Sequence, residues 1–205
     1  MKAKTNVSKA KSRRGFTLVE MIVVIGMIAA LAGISFPVYK SIQKKVERQQ
    51  TAMFLTSIER AVDNFETEYN YLPYAEAAYP TAEQTYYWAT GLDTFVGILM
   101  GLESTKNFKK IKFLEADEAS GSGPITSDGR GPDGYYDGVI DNGDGTATLF
   151  NSFGMCYVMR LDHDLDGDIY CNTLKETVTS NRRILIWSPG AAVWDNTRDD
   201  WLTSW

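Results

Sequence analysis

The chain has 205 residues, of which 44% are hydrophobic and 23% charged, and its formal net charge is −5. This composition is that of an ordinary globular protein, which excludes a wholly disordered chain and a multi-spanning membrane protein. Six basic and no acidic residues lie in the first fifteen positions, so the remaining 190 residues carry 15 basic and 26 acidic side chains. So acidic a body repels phosphate backbones, and we expect no nucleic-acid partner.

Residues 16–39 form a nearly continuous apolar segment. As a helix these 24 residues would rise roughly 36 Å, enough to cross a bilayer core of about 30 Å. The basic residues lie immediately before this segment, as the positive-inside rule requires of a cytoplasmic N-terminus. The sequence therefore predicts a single membrane-spanning helix with an extracytoplasmic head.

An amphipathic pattern continues through residues 40–71, where apolar side chains recur mostly at helical spacing. We expect the same helix to continue to about Tyr71, with one face packed on the head. Leu72 precedes Pro73, which disfavours helical geometry and ends the helix. The head then comprises residues 72–205.

The head is predicted to combine one short helix with a small antiparallel sheet, an α+β fold. Residues 92–100 are amphipathic and precede Gly101, which indicates a helix that ends there. Residues 120–145 are rich in Gly and Asp and are predicted to be loop. Short β-branched or aromatic runs predict strands at residues 108–114, 146–150, 153–161 and 183–188.

Glu20 interrupts the apolar segment, where a carboxylate costs on the order of 2.5–3.5 kcal/mol. It therefore needs a partner. If the chain is cut after Gly15, Phe16 gains a free α-amine one helical turn from Glu20. The pair could close within one chain, or Glu20 could reach the amine of a neighbouring chain and set the register of an assembly. A plain single-pass anchor with Glu20 at the membrane interface is the alternative.

The sequence RGFTLVEM at residues 14–21, followed by an apolar helix, resembles the N-terminal signal of type IV pilins and type II secretion pseudopilins. The resemblance implies a leader peptide at residues 1–15, which a prepilin peptidase removes after Gly15 before methylating the amine of Phe16. It also implies that Glu20 guides subunits into a helical filament. Residues 92–115, 152–168 and 186–205 resemble the head of such proteins in order. The fold expected is type IV pilin-like, a long N-terminal helix packed on a small antiparallel sheet.

The head also contains acidic segments that suggest a structural calcium ion. Asp162, Asp164, Asp166 and Gly167 match the alternating carboxylates and the turn glycine of a calcium loop, to which Asp168 would add its backbone carbonyl. A solvated acidic turn is the alternative. In major pseudopilins a calcium ion ties down the C-terminal loop, and the resemblance implies the same role for three further carboxylates: Asp195, Asp199 and Asp200.

Cys156 and Cys171 flank the acidic turn. In an oxidising periplasm a disulfide between them would add about 3 kcal/mol, whereas two separate buried thiols are the alternative. His163 lies between two aspartates and is expected to be exposed rather than catalytic. Nothing in the sequence matches an enzyme motif, and we predict that the chain is not an enzyme.

The function predicted is that of a structural subunit of a type II secretion pseudopilus, located in the bacterial inner membrane with a periplasmic head. Its expected partners are further copies of itself, the prepilin peptidase, an inner-membrane assembly platform and minor pseudopilins. One alternative is a type IV pilus subunit for adhesion, motility or DNA uptake. Another is a membrane-anchored calcium-dependent binding module, whose five tryptophans could offer stacking faces.

Overall fold

The computed structural model describes residues 16–87, 90–119, 138–171, 176–179, 182–188 and 201–204. The chain divides into two compact units, Met1–Lys44 and Lys45–Trp205. The described part of the first unit is helical from Leu18 onward. The second contains the core and every strand found in the described residues.

Helix α1 covers Leu18–Tyr69, so the long N-terminal helix predicted from the sequence is present. It ends at Tyr69, two residues earlier than expected. The next residue, Asn70, has a φ of 60° and donates its amide to the Glu66 carbonyl at 2.7 Å. Asparagine adopts this left-handed conformation more readily than most residues, and it commonly ends helices. Leu72 and Pro73 then follow outside the helix, as predicted.

The core of the second unit is built on one face of α1. Leu55, Ile58, Val62 and Phe65 recur at helical spacing and are fully buried. They pack with the apolar residues of the sheet and of helix α2, Leu92–Leu99, in one cluster. The predicted packing of one helix face is thus observed from Leu55 onward, whereas Ile42, Val46 and Met53 of the same apolar pattern are exposed.

All strand pairs in the described residues are antiparallel, which confirms the predicted α+β class. The strands are β1 Gln84–Tyr86, β2 Gly138–Asp141, β3 Ala147–Phe150, β4 Val158–Leu161, β5 Asp168–Cys171, β6 Glu176–Thr179, β7 Ile184–Ser188 and β8 Leu202–Thr203. Four of them form one sheet in the order β1-β4-β7-β8, and the other four form two two-stranded sheets, β2-β3 and β5-β6.

The strand predicted at residues 108–114 is wrong. This segment has no strand pairing, and Lys110 has a φ of 53°, which breaks an extended run. Asn107, fully buried, instead holds the backbone with its side chain: it accepts a hydrogen bond from the Ile111 amide at 3.0 Å and donates one to the Ile111 carbonyl at 2.7 Å. Phe113 and Leu114 reach the core from an irregular loop, whereas Phe108 is exposed.

The other strand predictions differ mainly in their limits. Strands β3 and β7 match the predicted runs, but β4 begins at Val158 because residues 151–154 form a turn, in which Gly154 has a φ of 72°. Strand β2 lies inside the segment predicted to be loop, where Val139 pairs with Leu149. The strand could not be predicted from composition, because it is only four residues long and is flanked by glycine and aspartate residues typical of turns.

Candidate functional sites: a capped helix start and an acidic turn

The start of α1 is closed by a reciprocal hydrogen-bond pair between Thr17 and Glu20. The Thr17 amide and hydroxyl donate to Glu20 Oε2 at 2.7 and 2.8 Å, and the Glu20 amide donates back to Thr17 Oγ1 at 3.2 Å. This is a capping box, in which two otherwise unsatisfied amides find side-chain acceptors. The spacing Thr-x-x-Glu in the sequence is typical of this motif, in which Glu20 meets the free amides of the helix start as well as any amine of Phe16.

The first half of α1 exposes apolar side chains around its whole circumference. Every residue from Phe16 to Gly33 is exposed, and the large apolar side chains among them are 45–76% accessible. A helix that is apolar on all sides is ordinarily buried, either in protein or in lipid. This surface therefore needs a covering that the isolated chain does not supply.

The membrane-spanning prediction for residues 16–39 is not confirmed by hydropathy over the described helix. Among residues whose side chains the structure describes, no helix has a stretch both long and apolar enough to cross a bilayer. Gly15, the predicted cleavage position, lies outside the described residues, whereas Phe16 is exposed just before the capping box.

The three aspartates predicted to form a calcium loop lie together in the turn after β4. Carboxylate oxygens of Asp162, Asp164 and Asp166 all lie within 4.8 Å of one another. Asp162 is fully buried, whereas Asp164 and Asp166 are exposed. Asp168, predicted to join through its carbonyl, begins β5 and donates its amide to Asp166 Oδ1 at 2.8 Å. The C-terminal candidates Asp195, Asp199 and Asp200 lie outside the described residues.

His163 is buried, so the expectation that it is exposed is wrong. Its ring is only 3% accessible and meets the rings of Tyr79 and Tyr86 edge-on. Nε2 lies 3.2 Å from the Tyr86 hydroxyl, which also donates to Glu76. Burial lowers the pKa of His163 to about 4, so the ring is neutral at pH 7. The aromatic pocket therefore anchors the acidic turn from its inner side, a role that a loop position between two aspartates did not suggest.

The predicted disulfide between Cys156 and Cys171 is not formed. Cys156 is a free thiol with no exposed surface, and it belongs to the apolar core. Burial raises the pKa of this thiol, so it is unreactive as well as unbonded. Cys171 ends β5, a strand of the separate hairpin, and its side chain is not among those described.

The tryptophans do not form an exposed stacking surface in the described part of the chain. Trp187 is buried in β7, and Trp201 packs, half-buried, against the cluster that contains it. Trp88, Trp194 and Trp205 lie outside the described residues. The structure thus gives the sugar-binding alternative no support from these two side chains.

The chain is similar to known proteins both at its helix start and over much of its length. Residues 10–36 match the family model described as the prokaryotic N-terminal methylation motif. The chain is similar to the type II secretion system core protein G of Klebsiella pneumoniae, with 27% identity over 146 residues, covering 65% of this chain and 95% of that protein. It is also similar to the protein of the same name from Klebsiella michiganensis, with 32% identity over 76 residues, or 37% of this chain and 49% of that protein. No solved structure matches the chain significantly.

Proposed function

We propose that this chain, which carries the prepilin-type methylation motif and is homologous to type II secretion system core protein G, is a structural subunit of a type II secretion pseudopilus. The observation that carries the proposal is the first half of α1, whose apolar side chains are exposed on every side. Homologues of this kind are structural filament subunits, so the chain is not an enzyme.

The exposed helix must be covered both before and after assembly. Eleven large apolar side chains between Phe16 and Leu31 are exposed in the isolated chain. Covering them is worth on the order of 10–20 kcal/mol, at roughly 1–2 kcal/mol for each partly exposed side chain. Lipid provides this covering while the subunit waits in the inner membrane, and helices of neighbouring copies provide it in the filament. The change from one to the other is nearly neutral, which lets an assembly machine determine when it occurs.

Processing would prepare the helix start for assembly. Cleavage after Gly15 by a prepilin peptidase leaves Phe16 as the first residue, with a methylated amine directly before the capping box. Glu20 then has a cation within reach in addition to the two donors of Thr17. A carboxylate without a cation would be costly in an apolar filament core. Glu20 therefore favours the axial position of the subunit in which an amine of Phe16 lies next to it.

The remaining partners and the topology follow from the same proposal. The leader is basic and stays in the cytoplasm, α1 anchors the subunit in the inner membrane as a single span, and the head faces the periplasm. Subunits would meet an inner-membrane assembly platform and minor pseudopilins there. A type IV pilus subunit for adhesion, motility or DNA uptake is the competing assignment, since both kinds of filament need the same helix start.

Coexpression with a prepilin peptidase tests the processing step. We expect the intact mass to fall by the mass of residues 1–15, and the mature chain to carry the added mass of one methyl group on its new amine. Gly15→Leu should keep the full mass, because a bulky side chain before Phe16 obstructs cleavage. Full-length mass for the wild type, or cleavage of the variant, would overturn this step.

Assembly is tested separately with Glu20→Ala in a strain that carries the secretion machinery. Membrane insertion should persist, because the helix becomes more apolar. Filament yield should fall at least tenfold, because the amine of Phe16 is left without its anionic partner in the apolar filament core. Glu118→Ala is the matched control: it also removes one exposed carboxylate, but from the head. Normal filament yield from Glu20→Ala would refute the register role. Secretion of an exported protein that depends on the chain distinguishes a pseudopilus from a pilus.

A further inference from the structure

We propose that the turn from Asp162 to Gly167 is a calcium site, with the carboxylates of Asp162, Asp164 and Asp166 as its ligands. This site lies in the head and is independent of the helix start on which the proposed function depends. It also differs from the C-terminal aspartates, which lie outside the described residues. Its evidence is one buried carboxylate without full compensation, together with the arrangement of two exposed ones around it.

Asp162 has no exposed surface. Its Oδ2 accepts a hydrogen bond from the Gly167 amide at 3.1 Å, but its Oδ1 has no hydrogen-bond partner among the described residues. Arg183 Nη1 lies 3.8 Å from Oδ2, at the limit of an ion pair. A buried carboxylate oxygen that is neither hydrogen-bonded nor closely paired is costly and calls for a cation.

The two other carboxylates of the group make that cost larger unless an ion is present. Asp164 and Asp166 approach Asp162 so that oxygens of all three lie within 4.8 Å of one another. Without a cation, three negative charges repel one another across this distance, and a single arginine at 3.8 Å compensates only part of it. With a cation between them the same arrangement becomes attractive. The turn is therefore shaped for a bound charge.

The spacing suits calcium. Calcium binds oxygen ligands at about 2.3–2.6 Å, so two ligands on opposite sides of the ion lie about 4.6–5.2 Å apart. The three carboxylates fit within this separation as they stand. Their side chains offer only oxygen, and His163, the neighbouring nitrogen donor, is turned toward the Tyr86 hydroxyl instead. The exposed side of the turn leaves room for water ligands, which complete a flexible calcium shell.

The turn is also held in place for binding. His163 fixes it from the inside, in edge-on contact with Tyr79 and Tyr86. The Asp162 amide donates to the Arg183 carbonyl at 3.1 Å, which ties the turn to the segment before β7. The ion would thus lock the path from β4 to β5 to the main sheet, and it would stabilise the head by binding only the folded form.

Calorimetric titration of the detergent-solubilised full chain with calcium chloride tests the site. We expect the wild type to bind calcium and to melt several degrees higher in excess calcium than in chelator. Asp164→Asn combined with Asp166→Asn should remove one equivalent of bound calcium and most of this difference. In chelator the same variant should melt no lower than the wild type, because the substitutions relieve charge repulsion in the empty turn. A role limited to turn structure would not give that result.

Two controls locate the binding. Asp199→Asn with Asp200→Asn removes carboxylates of the C-terminal segment and should leave the equivalent bound by the turn in place. Asp117→Asn with Glu118→Gln removes two exposed charges elsewhere in the head and should leave calcium binding unchanged. Magnesium should substitute poorly, because it requires a tighter octahedral shell and loses water reluctantly. Unchanged calcium stoichiometry in Asp164→Asn/Asp166→Asn, or no binding by the wild type, would overturn the proposal.

Discussion

Asn107 is the side chain whose loss should most disturb the joint between α1, α2 and the loop that follows. Its Nδ2 donates to the carbonyls of Ile98 and Ile111, each at 2.7 Å. Its Oδ1 accepts from the Tyr69 hydroxyl at 2.6 Å and from the Ile111 amide at 3.0 Å. The amide group is thus fully used, and the residue has no exposed surface.

Substitution of Asn107 by alanine removes all four hydrogen bonds, but only some of the partner groups are left without another hydrogen bond. The Ile98 carbonyl keeps the Gly101 amide at 3.1 Å, whereas both backbone groups of Ile111 and the Tyr69 hydroxyl lose their Asn107 partner. At roughly 1–3 kcal/mol for each buried unsatisfied group, and with partial relief from water at the half-buried Ile111, the expected loss is about 3 kcal/mol. For a chain of this length, that loss lowers the melting temperature by about 6–12 °C.

Two variants and a control separate this effect from general damage. Asn107→Asp keeps the shape but replaces two donors by a carboxylate that faces carbonyl oxygens, so it should destabilise at least as much as Asn107→Ala. Asn142→Ala removes an exposed asparagine that bonds only threonine hydroxyls through its side chain, and it should cost about 0.5 kcal/mol or less. Thermal and denaturant unfolding are followed by circular dichroism in one detergent. A loss below about 1 kcal/mol for Asn107→Ala would refute this reasoning.

Three further predictions concern the head. Gly97→Ala should lower the free energy of unfolding by about 2–3 kcal/mol, because its Cβ would lie 2.2 Å from the Gly145 carbonyl oxygen. The control Gly26→Ala should lower it by nothing, because no atom lies within 4 Å of the added Cβ. Equal losses for the two variants in denaturant unfolding would contradict this prediction. Burial raises the pKa of the Asp93 carboxyl, so this group destabilises the folded state once it ionises. Asp93→Asn should therefore gain stability relative to the wild type as the pH rises from 4 to 7. A stability difference that stays constant with pH would count against this reasoning. Cys156 should resist labelling by maleimide until the chain unfolds. After denaturation without a reducing agent, mass spectrometry should show two maleimide-labelled thiols. Absence of labelling would indicate that the disulfide is formed after all.

The helices could be predicted well from patterns that are local in the sequence. The end of α1 and the position of α2 follow from apolar periodicity and from local signals such as Leu72-Pro73 and Gly101, which act within a few residues. The error at residues 108–114 has a different origin. There, a buried polar side chain from just outside the segment supplies the backbone partners that a neighbouring strand would otherwise supply. Such an effect depends on tertiary contacts and leaves no periodic trace.

The candidate sites were predictable to different degrees. The spacing of Asp162, Asp164 and Asp166 was sufficient to predict that their carboxylates converge, because alternate residues of a tight turn point toward a common centre. Burial could not be predicted in the same way. Asp162 and His163 are covered because Tyr79 and Tyr86, some 80 residues earlier in the chain, pack beside the turn. At the helix start, the sequence places Glu20 near the free amides, but the reciprocal bond from its own amide to Thr17 Oγ1 appears only in the structure.

The short strand β8 covers the last residues of β7. Leu202 and Thr203 pair with Ser188 and Trp187, and Ser204 donates its amide to the Ile186 carbonyl at 3.0 Å. In the strand order β1-β4-β7-β8 it is β8 that ends the main sheet on this side. Deleting β8 would leave the last residues of β7 as an open edge, available for pairing with another chain.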